Sequence, residues 1–359
     1  MKILHIICAL GFLSTGCITS YNLEHDTNEL LLVVDGKITQ KDVPHELVLR
    51  RSSGTGSTDF NAVLDARITL FDGVGNYEEY YQEGNGTYVL NGEALLRTPG
   101  KSYYIEIELP NQHVYRSYPQ TMPEVIKPEK LYFEVEKIEE LGDLENTITK
   151  RYINFYINTP LFNDNEEYNF IWRMDHAFSF AELQCHPLQT PKTCFILRKL
   201  VNDDIKIFSG MNLSGGKLEG FRVGSILVSP DWEFYEKHFF NVAQHSISRE
   251  AFEYWDTVKK VAQSTGSIFD TPPAPISGNI YNVDDPEERV LGFFEVSSVD
   301  TIRTYTFADD LEPLVISDRC SPYEWRSFRD PVCCNCLEIP DSQVQRPYYW
   351  SFLLEEDKQ

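Results

Sequence analysis

Basic charge, long apolar runs and familiar catalytic signatures are all scarce in this chain. Lys and Arg number 32 against 55 Asp and Glu, for a formal net charge of −23. That balance repels nucleic-acid phosphates and anionic headgroups, which argues against a DNA or RNA partner. Beyond residue 13 no stretch stays apolar over the roughly 20 residues that a membrane-crossing helix requires. The sequence has no G-x-S-x-G elbow, no H-E-x-x-H and no phosphate-cradling G-x-x-x-x-G-K. His45-Glu46 begins like a zinc-protease helix, but Leu49 stands where the second histidine is required. Asp175-His176 after Trp172 offers half of an acid–base pair with no nucleophile in a recognisable context, so a polar pair at a strand end is the simpler reading. The sequence therefore points to a protein that is not an enzyme and holds no cofactor.

What is present starts at the first line. Ile3 to Leu13 is a short apolar segment with Lys2 before it and Ser14-Thr15-Gly16-Cys17 after it. Such a run is too short to span a bilayer but suits a cleaved export peptide. Small residues before a cysteine complete the outline of a lipoprotein signal. Residues 1–16 are then removed and Cys17 carries fatty-acyl chains such as palmitate, so the protein is anchored by lipid. Ser14 occupies the place usual for leucine, which keeps an ordinary secretory peptide, with Cys17 free or bridged, as the alternative.

Apart from Cys8 and Cys17, six cysteines remain: Cys185, Cys194, Cys320, Cys333, Cys334 and Cys336. An even number in an exported chain favours disulfides. A zinc site built on the Cys333, Cys334 and Cys336 cluster with Cys320 is the competing reading. Cys185 and Cys194 enclose a short loop with Pro187 and Pro191 and are expected to pair; the other four cannot be assigned.

Aromatic and β-branched residues dominate the segments between turns, as pleated sheets require. Tyr21 to Glu29 is a polar tether within the linking residues 17–29. Short alternating stretches follow at Leu30–Gly36, Glu46–Leu49, Ala66–Phe71, Gly86–Gly92, Ser102–Leu109 and His113–Ser117, each stopped by turn residues. Their spacing predicts an immunoglobulin-like or transthyretin-like sandwich over 30–120. Pro119, Pro123 and Pro128 mark a boundary. Residues 129–352 read as a larger β-rich domain, with strands at Leu131–Val135, Tyr152–Ile157, Tyr168–Met174, Phe195–Leu200, Phe221–Val228, Gly292–Val296 and Thr301–Ala308. One helix is clear near 248–264: Ser248 is placed to cap it, and Phe252, Trp255, Val258 and Ala262 recur at helical spacing, with Gly266 as terminator. The prolines of Asp270–Pro275 set the path of an extended connector. A Cys-rich segment closes the chain.

Several blocks together resemble a known family. They are Leu32-Val33-Val34-Asp35-Gly36-Lys37-Ile38-Thr39, Gly86-Thr87-Tyr88, Tyr115–Ser117 with Met122-Pro123, Ser246-Ile247-Ser248 leading to Tyr254-Trp255, Gly266–Asp270, Gly278-Asn279-Ile280 and Val290-Leu291-Gly292-Phe293-Phe294. At the end, Cys333 and Cys336 form a C-x-x-C pair, and Pro347 and Trp350 a P-x-x-W. On these residues the chain resembles the Bacteroidota outer-membrane lipoproteins known as domain of unknown function 4249. Cys334 inside the pair and the missing glycine pair after it depart from that pattern. Such proteins are typically encoded beside TonB-dependent transporters. The resemblance thus implies a non-catalytic accessory of a TonB-dependent outer-membrane transporter in nutrient uptake, held in the outer membrane on its surface or its periplasmic face, with the surface favoured. An adhesin or structural envelope module and a hydrolase with an unrecognised site are the rival readings.

Two acidic turns, Asn163–Glu167 and Asn282–Glu288, carry oxygen ligands without the spacing of a helix-loop-helix calcium site, and read as solvated turns. Phe234-Tyr235 and Phe239-Phe240 suggest either a ligand platform or, by default, core.

Overall fold

The computed structural model describes residues 30–52, 61–92, 94–141, 147–161, 167–200, 204–210, 216–228, 232–263, 276–311, 320 and 330–351. Cys17 with its signal and tether, most of the first acidic turn, Gly266 and the proline connector lie outside the described residues.

The first unit is a two-sheet sandwich built from β1 (Leu32–Ile38), β2 (His45–Arg51), β3 (Asn61–Ala62), β4 (Arg67–Asp72), β5 (Tyr77–Glu79), β6 (Tyr81–Gly84), β7 (Thr87–Leu90), β8 (Ser102–Glu108), β9 (Val114–Ser117) and β10 (Gln120–Thr121). Alternation decides the faces. Leu32, Val34 and Ile38 point into the core with Leu47 and Leu49, while Val33, Asp35 and Lys37 face outward with Glu46 and Val48. Three tyrosines are wholly or almost wholly buried: Tyr88, Tyr103 and Tyr115. Each finds a partner for its hydroxyl, as burial demands: Tyr88 donates to the Val63 carbonyl at 3.0 Å, and Tyr103 accepts from the Thr98 amide at 2.6 Å. Tyr115 donates to Glu288 at 2.9 Å, far along the chain.

The second unit comprises β11 (Lys130–Leu141), β12 (Thr147–Pro160), β13 (Asn169–Ala181), β14 (Thr193–Lys199), β15 (Lys206–Ser209), β16 (Lys217–Val228), β17 (His238–Ser246) and the helix α1 (Arg249–Gln263). β11, β12 and β16 form one sheet. It packs against a second sheet through Phe155, Phe170, Trp172, Phe240 and Val242. As expected, Ser248 caps α1, its hydroxyl accepting the Ala251 amide at 3.1 Å. The helix, however, packs through its first two turns, by Ala251, Phe252, Tyr254 and Trp255. Ala262, expected on the buried face, is exposed.

The chain then returns. β18 (Ile280–Asn282) pairs with β9, and β19 (Leu291–Val296) runs parallel to β1, so both sandwich sheets are completed from the far end of the chain. Only Ser297 separates β19 from β20 (Ser298–Thr306), which pairs with β17 in the second unit. The span 129–352 therefore does not stay within one unit. β19 is buried on both sides: Phe294 and Val296 enter the sandwich core, and Phe293 meets the helix cluster. Two glycines permit the approach. A Cβ on Gly292, which has φ of +92°, would lie 1.9 Å from the Val34 carbonyl oxygen, and one on Gly278 1.8 Å from the Gly292 oxygen. Asn279 then takes the place of a strand partner. Its side-chain amide donates to the Phe294 carbonyl and its side-chain oxygen accepts the Phe294 amide, both at 2.8 Å.

The last strand, β21 (Ser342–Gln343), adds to β14. Here the expected Cys185–Cys194 bridge is corrected: the disulfides are Cys185–Cys334, Cys194–Cys336 and Cys320–Cys333. Cys194 sits inside β14 opposite Phe180 with its side chain wholly buried, whereas Cys185 lies in the loop beyond β13. The C-terminal segment crosses both places. Cys334 therefore meets the loop cysteine and Cys336 the strand cysteine, and the thiolates needed for a zinc site are consumed. Glu182 completes the stitch by accepting the Cys336 amide at 2.9 Å and the Lys192 amide at 3.1 Å.

Candidate functional site

The polar pair singled out in the sequence does not form a dyad. Successive strand residues point to opposite faces, and β13 sends Asp175 and His176 apart. Asp175 accepts the Asn241 side-chain amide, which also contacts the Tyr349 hydroxyl at 3.3 Å. His176 stacks on His238 instead, Nδ1 to Nε2 at 2.8 Å, and His238 in turn contacts the Glu233 carbonyl at 3.1 Å. Burial lowers His176 to about 4 and drives His238 well below its usual value, so both rings stay neutral near neutral pH. His45 is likewise held inside the sandwich against the Lys41 carbonyl at 3.3 Å, with burial lowering it to about 4.

The other candidates are structural too. Phe234, Phe239 and Phe240 are core residues, and Trp350 of the closing P-x-x-W covers Phe239 at 4.6 Å between ring centroids. Only Tyr235 of that group is exposed. In the second acidic turn, Asn282 accepts the amides of Asp284 at 2.9 Å and Asp285 at 3.3 Å, while Glu288 takes Asn282 and Tyr115. Among the described residues no group of three or more His, Cys, Asp and Glu side chains is placed to hold a metal ion.

The concentration of buried charge lies elsewhere, in the seam where the outward face of β19, β1 and β2 meets β13, the end of β14 and α1. Glu295 on β19 is its centre. Arg173 donates to both of its oxygens, at 3.2 and 3.0 Å, the Trp255 indole N–H donates to one at 2.9 Å, and the Ser297 hydroxyl to the other at 3.0 Å. Burial alone would raise this carboxyl, but the charge and hydrogen bonds of Arg173, together with the neighbouring His245 and Lys37, outweigh it, so Glu295 stays ionised far below the usual carboxylate range. His245 lies 3.9 Å away and hydrogen-bonds Ser297 at 3.1 Å. Because burial pushes His245 well down, it remains neutral, and Arg173 is the counter-ion.

Above this pair opens a cleft of about 590 Å³, a size typical of small-molecule sites. Val33, Val48, Leu291 and Phe293 floor it, and Tyr254, Trp255 and Ile276 form its wall. Lys37, Lys199 and Arg173 bring three cations to it, with Asp35 and Glu46 at the rim. Burial, and then the Arg173 charge, lower Lys37 to about 8. A second hollow of about 550 Å³ adjoins it, sharing Lys37 and Glu46 and bounded by His245, Val299 and Arg303. None of the cleft residues carries a catalytic motif, which is why motif reading passed over them. The signal that was available is the pattern Val33-Asp35-Lys37, whose outward face interleaves charge with apolar residues on an otherwise buried strand.

Fold and site together define a β-rich protein of two interlocked units with a charged seam between them. The chain belongs to the family described as Domain of unknown function (DUF4249), whose model matches residues 18–303 and so ends before Cys320, Cys333, Cys334 and Cys336. No curated protein and no solved structure matched it.

Proposed function

We propose that this chain is a non-catalytic, lipid-anchored protein of the outer membrane, docked on a TonB-dependent transporter and assisting nutrient uptake, with the cell surface as its favoured face. Among the described residues no helix is long and apolar enough to cross a membrane; the proposed anchor is lipid on Cys17, supported by the short apolar segment and the small residues before that cysteine. The structural use of the candidate acids and bases Asp175, His176 and His45 supports the non-catalytic part of the reading.

The observation that carries the binding role is the β11–β12 hairpin. Among the described residues, β16 supports β12 only from Arg151 onward, and the outer end is paired as a ribbon of two strands. Every residue in 136–141 and 147–149 is exposed, with Leu141 at 82%, Ile148 at 44% and Ile138 at 37%. An isolated two-stranded ribbon is marginal in water, and exposed apolar side chains at its end favour a partner. A lipid-held protein meets a neighbouring channel at high effective concentration, so a small contact suffices.

The test is affinity purification of the tagged mature protein from its native membrane, with mass spectrometry of its partners and of its N-terminal peptide. The expected result is a stoichiometric TonB-dependent transporter and an acylated Cys17. In the double variant Leu141→Asp, Ile148→Asp, recovery of the transporter falls at least tenfold while the melting temperature holds. A lipidated protein recovered alone, or with envelope components unrelated to transport, overturns the reading in favour of an adhesin or structural module.

A further inference from the structure

Lys37 is a mostly buried lysine for which neither a hydrogen bond nor an ion pair is found among the described residues, in a seam where Arg173 is already committed to Glu295. Lys199, which also lines this cleft, has no such bond or pair among the described residues either. Desolvation makes an unpaired buried ammonium costly, and the ordinary outcome is a partner within reach. The charges around Lys37 come from several elements: Asp35 on β1, Lys41 between β1 and β2, Glu46 on β2, Glu295 on β19, Arg173 on β13, Lys199 on β14, His245 on β17, and Asp300 and Arg303 on β20. Of the carboxylates, Glu295 is saturated by Arg173, Trp255 and Ser297; Asp35 and Glu46 are exposed and Asp300 is half-buried, and among the described residues none of these three forms an ion pair with the two lysines. In a chain of net charge −23, two free ammonium groups thus converge over a concave, largely apolar floor. Beside them Phe293 and Tyr254 stack at 4.7 Å, with Trp255 at right angles to Tyr254.

We propose that this cleft binds a small organic anion, its carboxylate or phosphate group held between Lys37 and Lys199 and its apolar body laid on Phe293, Tyr254 and Trp255. The site goes beyond the transporter reading and does not depend on it. An anionic group there supplies the charge that the two lysines lack, and the aromatic wall selects an apolar or ring-bearing body over a bare inorganic ion. Affinity falls as the pH rises through about 8, because Lys37 then loses the proton that makes it a cation.

The experiment is calorimetric titration of the full mature chain at pH 7 with benzoate, phenyl phosphate, inorganic phosphate and neutral benzyl alcohol. Benzoate or phenyl phosphate is expected to saturate one site and benzyl alcohol none, and the preferred anion of the two distinguishes a carboxylate from a phosphate ligand. Lys37→Met, which keeps the apolar stem, lowers affinity at least tenfold, and Lys199→Met, at an exposed position, lowers it severalfold with an unchanged melting curve. Absence of saturation with both organic anions, or affinity unmoved in both lysine variants, overturns the proposal. Inorganic phosphate binding as tightly as phenyl phosphate overturns its aromatic half.

Discussion

At the scale of single residues, this protein keeps its buried histidines neutral, the state that burial tolerates. His45 and His176 are lowered to about 4, and burial holds His238 and His245 well below the usual histidine value. Between their unfolded value near 6.5 and these folded values, the unfolded chain binds more protons, so stability falls as the pH drops through that window. Each proton taken up contributes about 1.4 kcal/mol per pH unit. Denaturant unfolding followed from pH 7 to pH 4.5 should show the loss, and the double variant His176→Phe, His238→Leu should flatten it. Glu295 acts in a different window. Its folded pKa is depressed, so its contribution is complete above about 4.5 and is lost only as the pH falls further. Glu295→Gln leaves Arg173 without its counter-ion and costs about 3–5 kcal/mol, measurable as a lower urea midpoint at pH 7. None of this was legible in the sequence, because Arg173 and Glu295 are 122 residues apart and meet only where two sheets join.

At the scale of elements, alternation and turn residues located most strands but not their lengths. β11, β12 and β13 extend well beyond the stretches expected from pattern: the outer ends of β11 and β12 are exposed and carry no burial signal, whereas β13 runs on past the polar pair Asp175-His176 into buried Ala177, Phe178 and Phe180. β17 was missed entirely, although it lies inside its sheet, between β13 and β20. Its faces hold His238, Asn241, Gln244 and His245 as well as Phe239, Phe240 and Val242, nearly all buried, so the period-two contrast that marks a half-buried strand is absent. Gln244 shows how such polarity is accommodated: it accepts from Thr159 at 2.7 Å and Trp172 at 3.0 Å, and donates to the Ile126 carbonyl at 2.9 Å. The disulfides make a separate expectation. Cys194–Cys336 closes a separation of 142 residues, and Cys194→Ala with Cys336→Ala should cost about 2–5 kcal/mol and expose the 330–343 segment to protease, while Cys320–Cys333 persists. Limited proteolysis with mass mapping reads this directly.

At the scale of the whole molecule, the sandwich is closed by residues drawn from beyond the second unit. A fragment of residues 30–128 lacks Ile280, Phe294 and Val296, leaves β1 and β9 as open edges and strips the cover from Leu32 and Val34. It should be aggregation-prone and lack a cooperative melt, whereas the full chain unfolds with both units together. Differential scanning calorimetry separates the outcomes, and two independent transitions in the full chain would contradict the coupling. The units are tied at several points beside β19. Gln40 clamps the Val299 backbone at 2.7 and 2.9 Å, Ser298 reaches the Glu124 carbonyl at 2.9 Å, and the Ser297 amide reaches the Ile38 carbonyl at 3.1 Å.

The sequence by itself determined the local matters: a mainly β chain, the capped helix after Ser248, cysteines suited to disulfides, and the family, whose Gly278-Asn279 and Gly292 blocks were recognisable as words. Each follows from interactions between residues close in the chain, which a linear pattern records. Tertiary structure alone decided what those blocks are for, namely the return of β18 and β19 into the sandwich, and with them the Glu295–Arg173 pair, the disulfide partners and the cleft over Lys37. Apart from Cys320–Cys333, whose cysteines are 13 residues apart, these rest on contacts across 100 residues or more, selected by shape and by the need to satisfy buried charge, and neither requirement leaves a periodic mark on the chain.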